Sequence, residues 1–122
     1  AYKGSSGDVY IYTDFTNATL NAFFQSLISS YLQPLTQGTS QCGYGCSDHA
    51  SWTQRGYPAS LPFEALFSQY NPTIHTENDT IGTFGGNANH AVKFSKVGVA
   101  FMAEVAKGRL TGNFPPPMLS AK

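Results

Sequence analysis

Residues 9–13 read Val9-Tyr10-Ile11-Tyr12-Thr13, and this run decides the fold class. The run is β-branched and aromatic, with no alternation of polar residues. This pattern is typical of a strand that is buried on both faces of a largely parallel sheet. We therefore expect an α/β fold with helices packed on the sheet.

A helix is predicted directly after this strand. Thr16 or Asn17 can cap it, and Pro34 ends it. Between them, apolar side chains recur at helical spacing: Leu20, Phe23, Phe24, Leu27, Ile28 and Tyr31. This apolar face should pack on the sheet.

The rest of the chain predicts fewer strands than a stable sheet needs. We expect a loop at 34–46, a short helix at 47–55, a strand at 60–66 with Pro62 at its start or at a sheet edge, a loop at 68–86, a helix at 87–107 ended by Gly108, and an extended Pro-rich tail at 109–122. About two strands make a marginal sheet. Either missing sequence or a partner chain is expected to supply the neighbouring strands.

Composition excludes two classes of partner. The 122 residues contain seven basic and seven acidic side chains, so no net charge attracts a nucleic acid. The longest apolar stretch, 97–106, contains Glu104 and is far shorter than the roughly 20 residues that cross a bilayer. We expect a soluble protein that binds neither nucleic acid nor membrane.

The chemically reactive residues have ordinary structural explanations when each is taken alone. Cys42 and Cys46 form either one short disulfide or two free thiols, and we favour the disulfide and an oxidising compartment. Ser47, Asp48 and His49 are consecutive, so they cannot form a hydrolytic relay. The histidines lack the spacing of a self-contained zinc site. We expect structural roles for them, with His75 in a loop and His90 facing solvent.

Several ordered motifs together resemble the secreted bacterial leucyl aminopeptidases. They are the run 42–52 (Cys-Gly-Tyr-Gly-Cys-Ser-Asp-His-Ala-Ser-Trp), Gly56-Tyr57-Pro58-Ala59, Pro62-Phe63-Glu64-Ala65, and the run 70–76 (Tyr-Asn-Pro-Thr-Ile-His-Thr) followed by Asp79-Thr80. The resemblance extends from Tyr2 to the helix that contains His90 and fades after Gly108. These enzymes belong to a two-zinc exopeptidase family that also includes glutaminyl cyclases.

The resemblance implies both a fold and a site. Residues 1–108 would be the C-terminal portion of a mixed-sheet, three-layer zinc-exopeptidase domain, in which two zinc ions are held by two His, two Asp and one Glu. His75 corresponds to a zinc ligand and Tyr44 to the tyrosine that hydrogen-bonds the reacting carbonyl oxygen. The disulfide pair matches Cys42 and Cys46, and these cysteines belong to the substrate-binding set together with Leu61, Phe63, Phe67, Tyr70 and Ile74. From the residues alone, we favour ordinary core for the apolar members, with the wall of an apolar pocket as the alternative.

The resemblance also implies that the chain is incomplete. The other zinc ligands and the catalytic Glu lie upstream in the family, and one histidine cannot hold two zinc ions. Our hypothesis is the C-terminal part of a secreted zinc aminopeptidase, which acts on peptides with leucine-like N-terminal residues and needs the N-terminal part of the same enzyme. The alternative is a non-catalytic binding or structural unit of the same fold.

Overall fold

A mixed three-stranded sheet and three α-helices form the regular structure of residues 1–106, the part of the chain that the computed structural model describes. In chain order the elements are β1 (Val9–Tyr12), α1 (Ala18–Tyr31), β2 (Gln37–Ser40), α2 (Asp48–Gln54), β3 (Leu61–Phe63) and α3 (Asn89–Val105), with 3₁₀ helices at Phe67–Gln69 and Ile81–Phe84. The α/β fold class is therefore confirmed. The predicted tail, 109–122, and the predicted helix end at Gly108 lie outside the described residues.

Strand β1 is the centre of the sheet. It pairs in parallel with β2 and antiparallel with β3, which gives the strand order β2-β1-β3. All four of its residues are buried, as the run at 9–13 predicts. Helix α1 forms the crossover that a parallel β1–β2 pair requires. Its cap is Asn17, whose side chain accepts a hydrogen bond from the Leu20 backbone N–H at 2.9 Å.

Helices α1 and α3 cover one face of the sheet. Ile28 of α1 and Val97 of α3 form a buried cluster with Val9 and Ile11 of β1. The rings of Phe24 and Phe101 stack with centroids 4.7 Å apart and join the two helices. For α1, the apolar spacing of its residues was the sequence signal for this packing.

Strand β2 was not predicted from the sequence. Its residues, Gln37-Gly38-Thr39-Ser40, include a glycine and have weak strand propensity. Gly38 pairs with Tyr10, and a Cβ atom at Gly38 would lie 2.9 Å from Cε1 of the Tyr10 ring. The strand therefore forms because β1 offers it hydrogen bonds, and a glycine is needed where the tyrosine ring crosses it.

The strand predicted at 60–66 is shorter in the structure. β3 ends at Phe63, and the chain then turns so that the Phe67 backbone N–H donates to Ser40 Oγ at 3.0 Å. Pro62 pairs with Ile11, and β3 lies at the edge of the sheet, as the proline predicts.

An ion pair joins α3 to the start of β1. Lys93 Nζ lies 2.5 Å from Asp8 Oδ1, and the Thr36 backbone N–H and hydroxyl both donate to Asp8 Oδ2. Burial opposes ionisation, but these hydrogen bonds and one from Lys3 outweigh it and hold the pKa of Asp8 well below its usual range. Within residues 1–106, no helix is both long and apolar enough to span a bilayer.

Candidate functional site

A disulfide shapes the loop that presents Tyr44. Cys42 and Cys46 are bonded, so the predicted disulfide is present. Asp14, two residues after β1, accepts hydrogen bonds at Oδ2 from the backbone N–H groups of Cys42 (3.0 Å) and Gly43 (2.6 Å). The Tyr44 side chain is 57% exposed, so its phenol is available to a ligand.

Three of the predicted site residues form a continuous aromatic row. The ring of Tyr44 meets Phe67 edge-on, with centroids 6.0 Å apart, and Phe67 stacks on Tyr70 at 5.4 Å. Tyr70 is 36% exposed. The structure thus places the candidate catalytic tyrosine beside two of the candidate specificity residues.

The other predicted pocket residues have different neighbours. The Phe63 ring packs against Tyr12 at 5.1 Å, and Ile74 is partly exposed directly before His75. Leu61 lines a separate cavity of about 450 Å³ with side chains from α1, α2 and α3, and none of the other predicted pocket residues lines it. We place the candidate site at the aromatic row and not at this cavity, because Tyr44 lies in the row.

His75 has an unusual backbone conformation. Its φ is +66°, in the left-handed region that residues other than glycine adopt infrequently. It is exposed, and its ring forms no hydrogen bond within residues 1–106. The turn is closed by the Thr76 backbone N–H and hydroxyl, which both donate to the Thr73 carbonyl at 3.1 and 2.7 Å. An exposed, unpaired imidazole held in a strained turn is suited to bind a ligand.

Asn71 holds this turn in place. It is only 3% exposed, and its Oδ1 accepts hydrogen bonds from the Thr73 backbone N–H (2.9 Å) and hydroxyl (2.8 Å). Its Nδ2 donates to Asp79 Oδ1 at 2.7 Å, so one side chain ties the two ends of the loop together. Its backbone N–H donates to Glu64 Oε1 at 3.3 Å, which anchors the loop to the chain just after β3.

Sequence reasoning missed both Asp14 and Asn71. A signal existed for Asp14, because it follows the carboxyl end of a buried strand, where ligand sites of α/β sheets are found. The run Asn71-Pro72-Thr73 was also a signal, since an Asn side chain commonly bonds the backbone two residues later. Both residues position loops that carry candidate site residues.

His90 is buried, so the expectation that it faces solvent is wrong. It is 7% exposed, its Nε2 lies 3.2 Å from the Glu64 carbonyl oxygen, and its ring meets Phe94 edge-on at 5.3 Å. Burial lowers its pKa, although the bond to Glu64 opposes this effect. The helix start turns inward here because α3 packs against the segment after β3.

His75 is the one described residue that the sequence predicts as a ligand of the zinc centre. Its imidazole is exposed and is of the type that zinc binds. The one group of three nearby metal-ligating side chains in residues 1–106 is Cys42, Cys46 and His49, and there both sulfurs are committed to the disulfide. His75 is therefore suited to be one ligand of the predicted centre. The free donors of residues 1–106 are too few to complete it.

Comparison with known proteins places these features in a family. The profile of peptidase family M28 matches residues 2–100. A probable leucine aminopeptidase from Trichophyton verrucosum (strain HKI 0517) is 39% identical over 104 residues, which are 85% of this chain and 27% of that protein. Leucine aminopeptidase 1 of Arthroderma otae (strain ATCC MYA-4605 / CBS 113480) is 37% identical over 105 residues, which are 86% of this chain and 27% of the relative.

Solved structures share the fold. LapA aminopeptidase of Legionella pneumophila superimposes with a TM-score of 0.78 at 38% identity, covering 86% of this chain and 28% of that one. LapB of Legionella pneumophila gives 0.76 at 33% identity, over 85% of this chain and 28% of that one. The chain spans little more than a quarter of the length of these relatives. Because the family profile covers residues 2–100 and the fold is shared, this chain belongs to peptidase family M28.

Proposed function

We propose that this chain is the C-terminal part of a zinc-dependent aminopeptidase that removes leucine-like, apolar residues from the N-termini of peptides. The family membership and the names of the relatives support a peptidase. The observation that carries the proposal is the aromatic row, because it joins Tyr44 to Phe67 and Tyr70. A site for a peptide N-terminus needs a hydrogen-bond donor for the carbonyl oxygen beside an apolar surface for the side chain.

Each residue of the row has a role that its exposure permits. The Tyr44 hydroxyl donates a hydrogen bond to the carbonyl oxygen of the peptide bond that is cleaved. This hydrogen bond strengthens as negative charge develops on that oxygen. The faces of Phe67 and Tyr70 contact the substrate's first side chain. Leu61, which lines the separate cavity, and Phe63, which packs against Tyr12, have no part in this contact. The disulfide of Cys42 and Cys46 limits the movement of Tyr44, so the donor is oriented before substrate binds.

His75 contributes one metal ligand, and the remaining donors come from the N-terminal part of the same enzyme. The left-handed turn at His75 and the absence of a hydrogen bond to its ring within residues 1–106 support this role. When bound, the zinc ions supply Lewis-acid polarisation of the carbonyl and an activated water. The disulfide supports an extracellular location, since such bonds persist in oxidising compartments.

The alternative function, a non-catalytic binding or structural unit, also has support from the described residues. Because His75 is the single residue of 1–106 proposed for the aminopeptidase zinc centre, this segment without the N-terminal part would be only a binding or structural unit of the same fold. The two functions differ in metal content and in turnover.

The test compares the chain alone with the complete protein that contains it. We expect the chain alone, with its disulfide intact, to show neither stoichiometric zinc nor hydrolysis of leucine p-nitroanilide, and the complete protein to show both. In the complete protein, His75→Ala should remove one zinc ion and most of the rate, whereas Glu77→Ala, an exposed neighbour in the same loop, should change neither. Tyr44→Phe should lower kcat by about 10- to 1,000-fold with little change in KM. Full zinc content after His75→Ala, or hydrolysis by the chain alone, would refute the assignment.

A further inference from the structure

A buried histidine without a hydrogen-bond partner lies beside the disulfide. His49 is 5% exposed, and neither of its ring nitrogens has a partner within residues 1–106. Buried polar groups are nearly always hydrogen-bonded, so an unpaired imidazole requires an explanation. The proposed aminopeptidase function gives His49 no role.

The histidine and the two cysteines are placed as metal ligands would be. One nitrogen of His49 and the sulfurs of Cys42 and Cys46 all lie within 4.8 Å of one another. In a tetrahedral zinc site, with Zn–S near 2.3 Å and Zn–N near 2.0 Å, the ligand atoms are about 3.5 to 3.8 Å apart. Small movements of the side chains therefore produce the required geometry once the sulfurs are no longer bonded to each other.

The residues around the disulfide favour the binding of a cation and leave the disulfide accessible to a reductant. Asp14 Oδ1 lies 3.9 Å from Cys42 Sγ, so a carboxylate stands beside the three donors. The loop residues between the cysteines, Gly43, Tyr44 and Gly45, are exposed, which gives a small reductant access to the disulfide. Two thiolates and a neutral imidazole balance the charge of a divalent ion, which favours binding at donors that are half-buried (the two cysteines) or buried (His49).

We propose that reduction of the Cys42–Cys46 disulfide converts this loop into a Cys₂His site for a thiophilic divalent cation such as Zn²⁺. With a phosphine as reductant, the S–S bond breaks, the phosphorus takes the oxygen of a water molecule to become the phosphine oxide, and the two sulfurs receive the protons of that water. The cation then displaces both thiol protons and binds two thiolates and a ring nitrogen of His49. Solvent fills the fourth position.

This site gives the loop a second way to stay closed. The disulfide and the bound cation both join the residues on either side of Tyr44, so a reduced, metal-bound loop keeps its ends together. The inference does not depend on the aminopeptidase assignment, because it uses neither His75 nor any residue outside this chain.

Cobalt(II) is the probe, since thiolate ligation gives it a near-ultraviolet charge-transfer band and tetrahedral geometry gives it strong visible bands. The chain is reduced with a phosphine, freed of reductant under argon, and titrated beside the oxidised chain. We expect the reduced chain to bind one Co²⁺ at least 10-fold more tightly than the oxidised chain, with both sets of bands, and Zn²⁺ to displace it.

Variants assign the ligands. His49→Ala should weaken binding by the reduced chain at least 10-fold, whereas His75→Ala should leave it unchanged and so separates this site from the proposed aminopeptidase ligand. If His49→Ala does not fold, the ¹⁵N resonances of the His49 ring in the reduced wild-type chain decide, because Zn²⁺ should shift one of them. Equal affinity of the oxidised and reduced chains, an unchanged cobalt spectrum in His49→Ala, or unshifted His49 resonances would overturn the proposal.

Discussion

Exchanging the partners of one hydrogen bond tests whether Asn71 holds the His75 loop. In Asn71→Asp, the oxygen that accepts from Thr73 is kept, but the Nδ2 donor is replaced by an oxygen that faces Asp79 Oδ1 at 2.7 Å. Asp79→Asn in the same chain returns a donor to the pair from the opposite side. The double variant therefore has the same hydrogen bond with its direction reversed.

The structure sets the size of each effect. Asn71→Asp loses a hydrogen bond to a charged group, about 1.5 to 3 kcal/mol, and adds a like-charge contact. Asp79 is exposed and can turn away, so we expect a total cost of about 2 to 3 kcal/mol. Asp79→Asn alone keeps an amide acceptor for Asn71 and should cost about 0.5 to 1 kcal/mol. The double variant should lie within about 1 kcal/mol of the wild type.

Hydrogen exchange is the appropriate assay, because the loop can open without unfolding the sheet. The Thr73 backbone N–H donates to Asn71 Oδ1, so its exchange rate reports the opening of the loop. In Asn71→Asp we expect this amide to exchange about 30- to 150-fold faster, and in the double variant within about 5-fold of the wild type. Amides of β1 should be unaffected in all three variants. If the free-energy cost in the double variant equals the sum of the costs in the two single variants, Asn71 and Asp79 are not coupled and the reasoning is wrong.

Three further predictions concern packing and pH. Gly38→Ala should lower the free energy of unfolding, measured in urea, by about 1 to 3 kcal/mol, because the new Cβ would lie 2.9 Å from Tyr10 Cε1. The control is Gly98→Ala in α3, where an added Cβ contacts nothing; it should stabilise the chain by about 0.5 to 1 kcal/mol. Folding lowers the pKa of Asp8, so the ionised carboxylate stabilises the folded state fully above about pH 4, and this stabilisation is lost in more acidic solution. The Asp8→Asn variant should therefore have a lower free energy of unfolding at pH 7 than the wild type, and this free energy should fall less on acidification. Folding also lowers the pKa of His90, so below about pH 6.5 the His90 ring takes up a proton in the unfolded chain before it does so in the folded one. The thermal unfolding temperature should therefore fall from pH 7 to pH 5. In His90→Gln it should fall less.

The sequence alone predicts the elements whose residues have strong local preferences. The β-branched and aromatic run of β1 indicated a strand buried on both faces, and the apolar spacing of α1 predicted a helix that packs on it. Cys42 and Cys46 lie close enough along the chain for their spacing alone to favour a disulfide, and the two are bonded. In each case the information lies within one segment, so hydrophobic periodicity and chain separation are sufficient to read it.

Tertiary structure decided the features that depend on distant partners. Gln37-Gly38-Thr39-Ser40 becomes strand β2 only because β1 supplies its hydrogen bonds, and the sequence of β2 by itself predicted a loop. His90 lies at a helix start that would face solvent in an isolated helix, and it is buried because Glu64 and the segment after β3 cover it. The aromatic row likewise requires residues 44 and 67, which are far apart in the chain, to come into contact. A residue's burial and contacts are set by segments far away in the chain, and no local pattern carries that information.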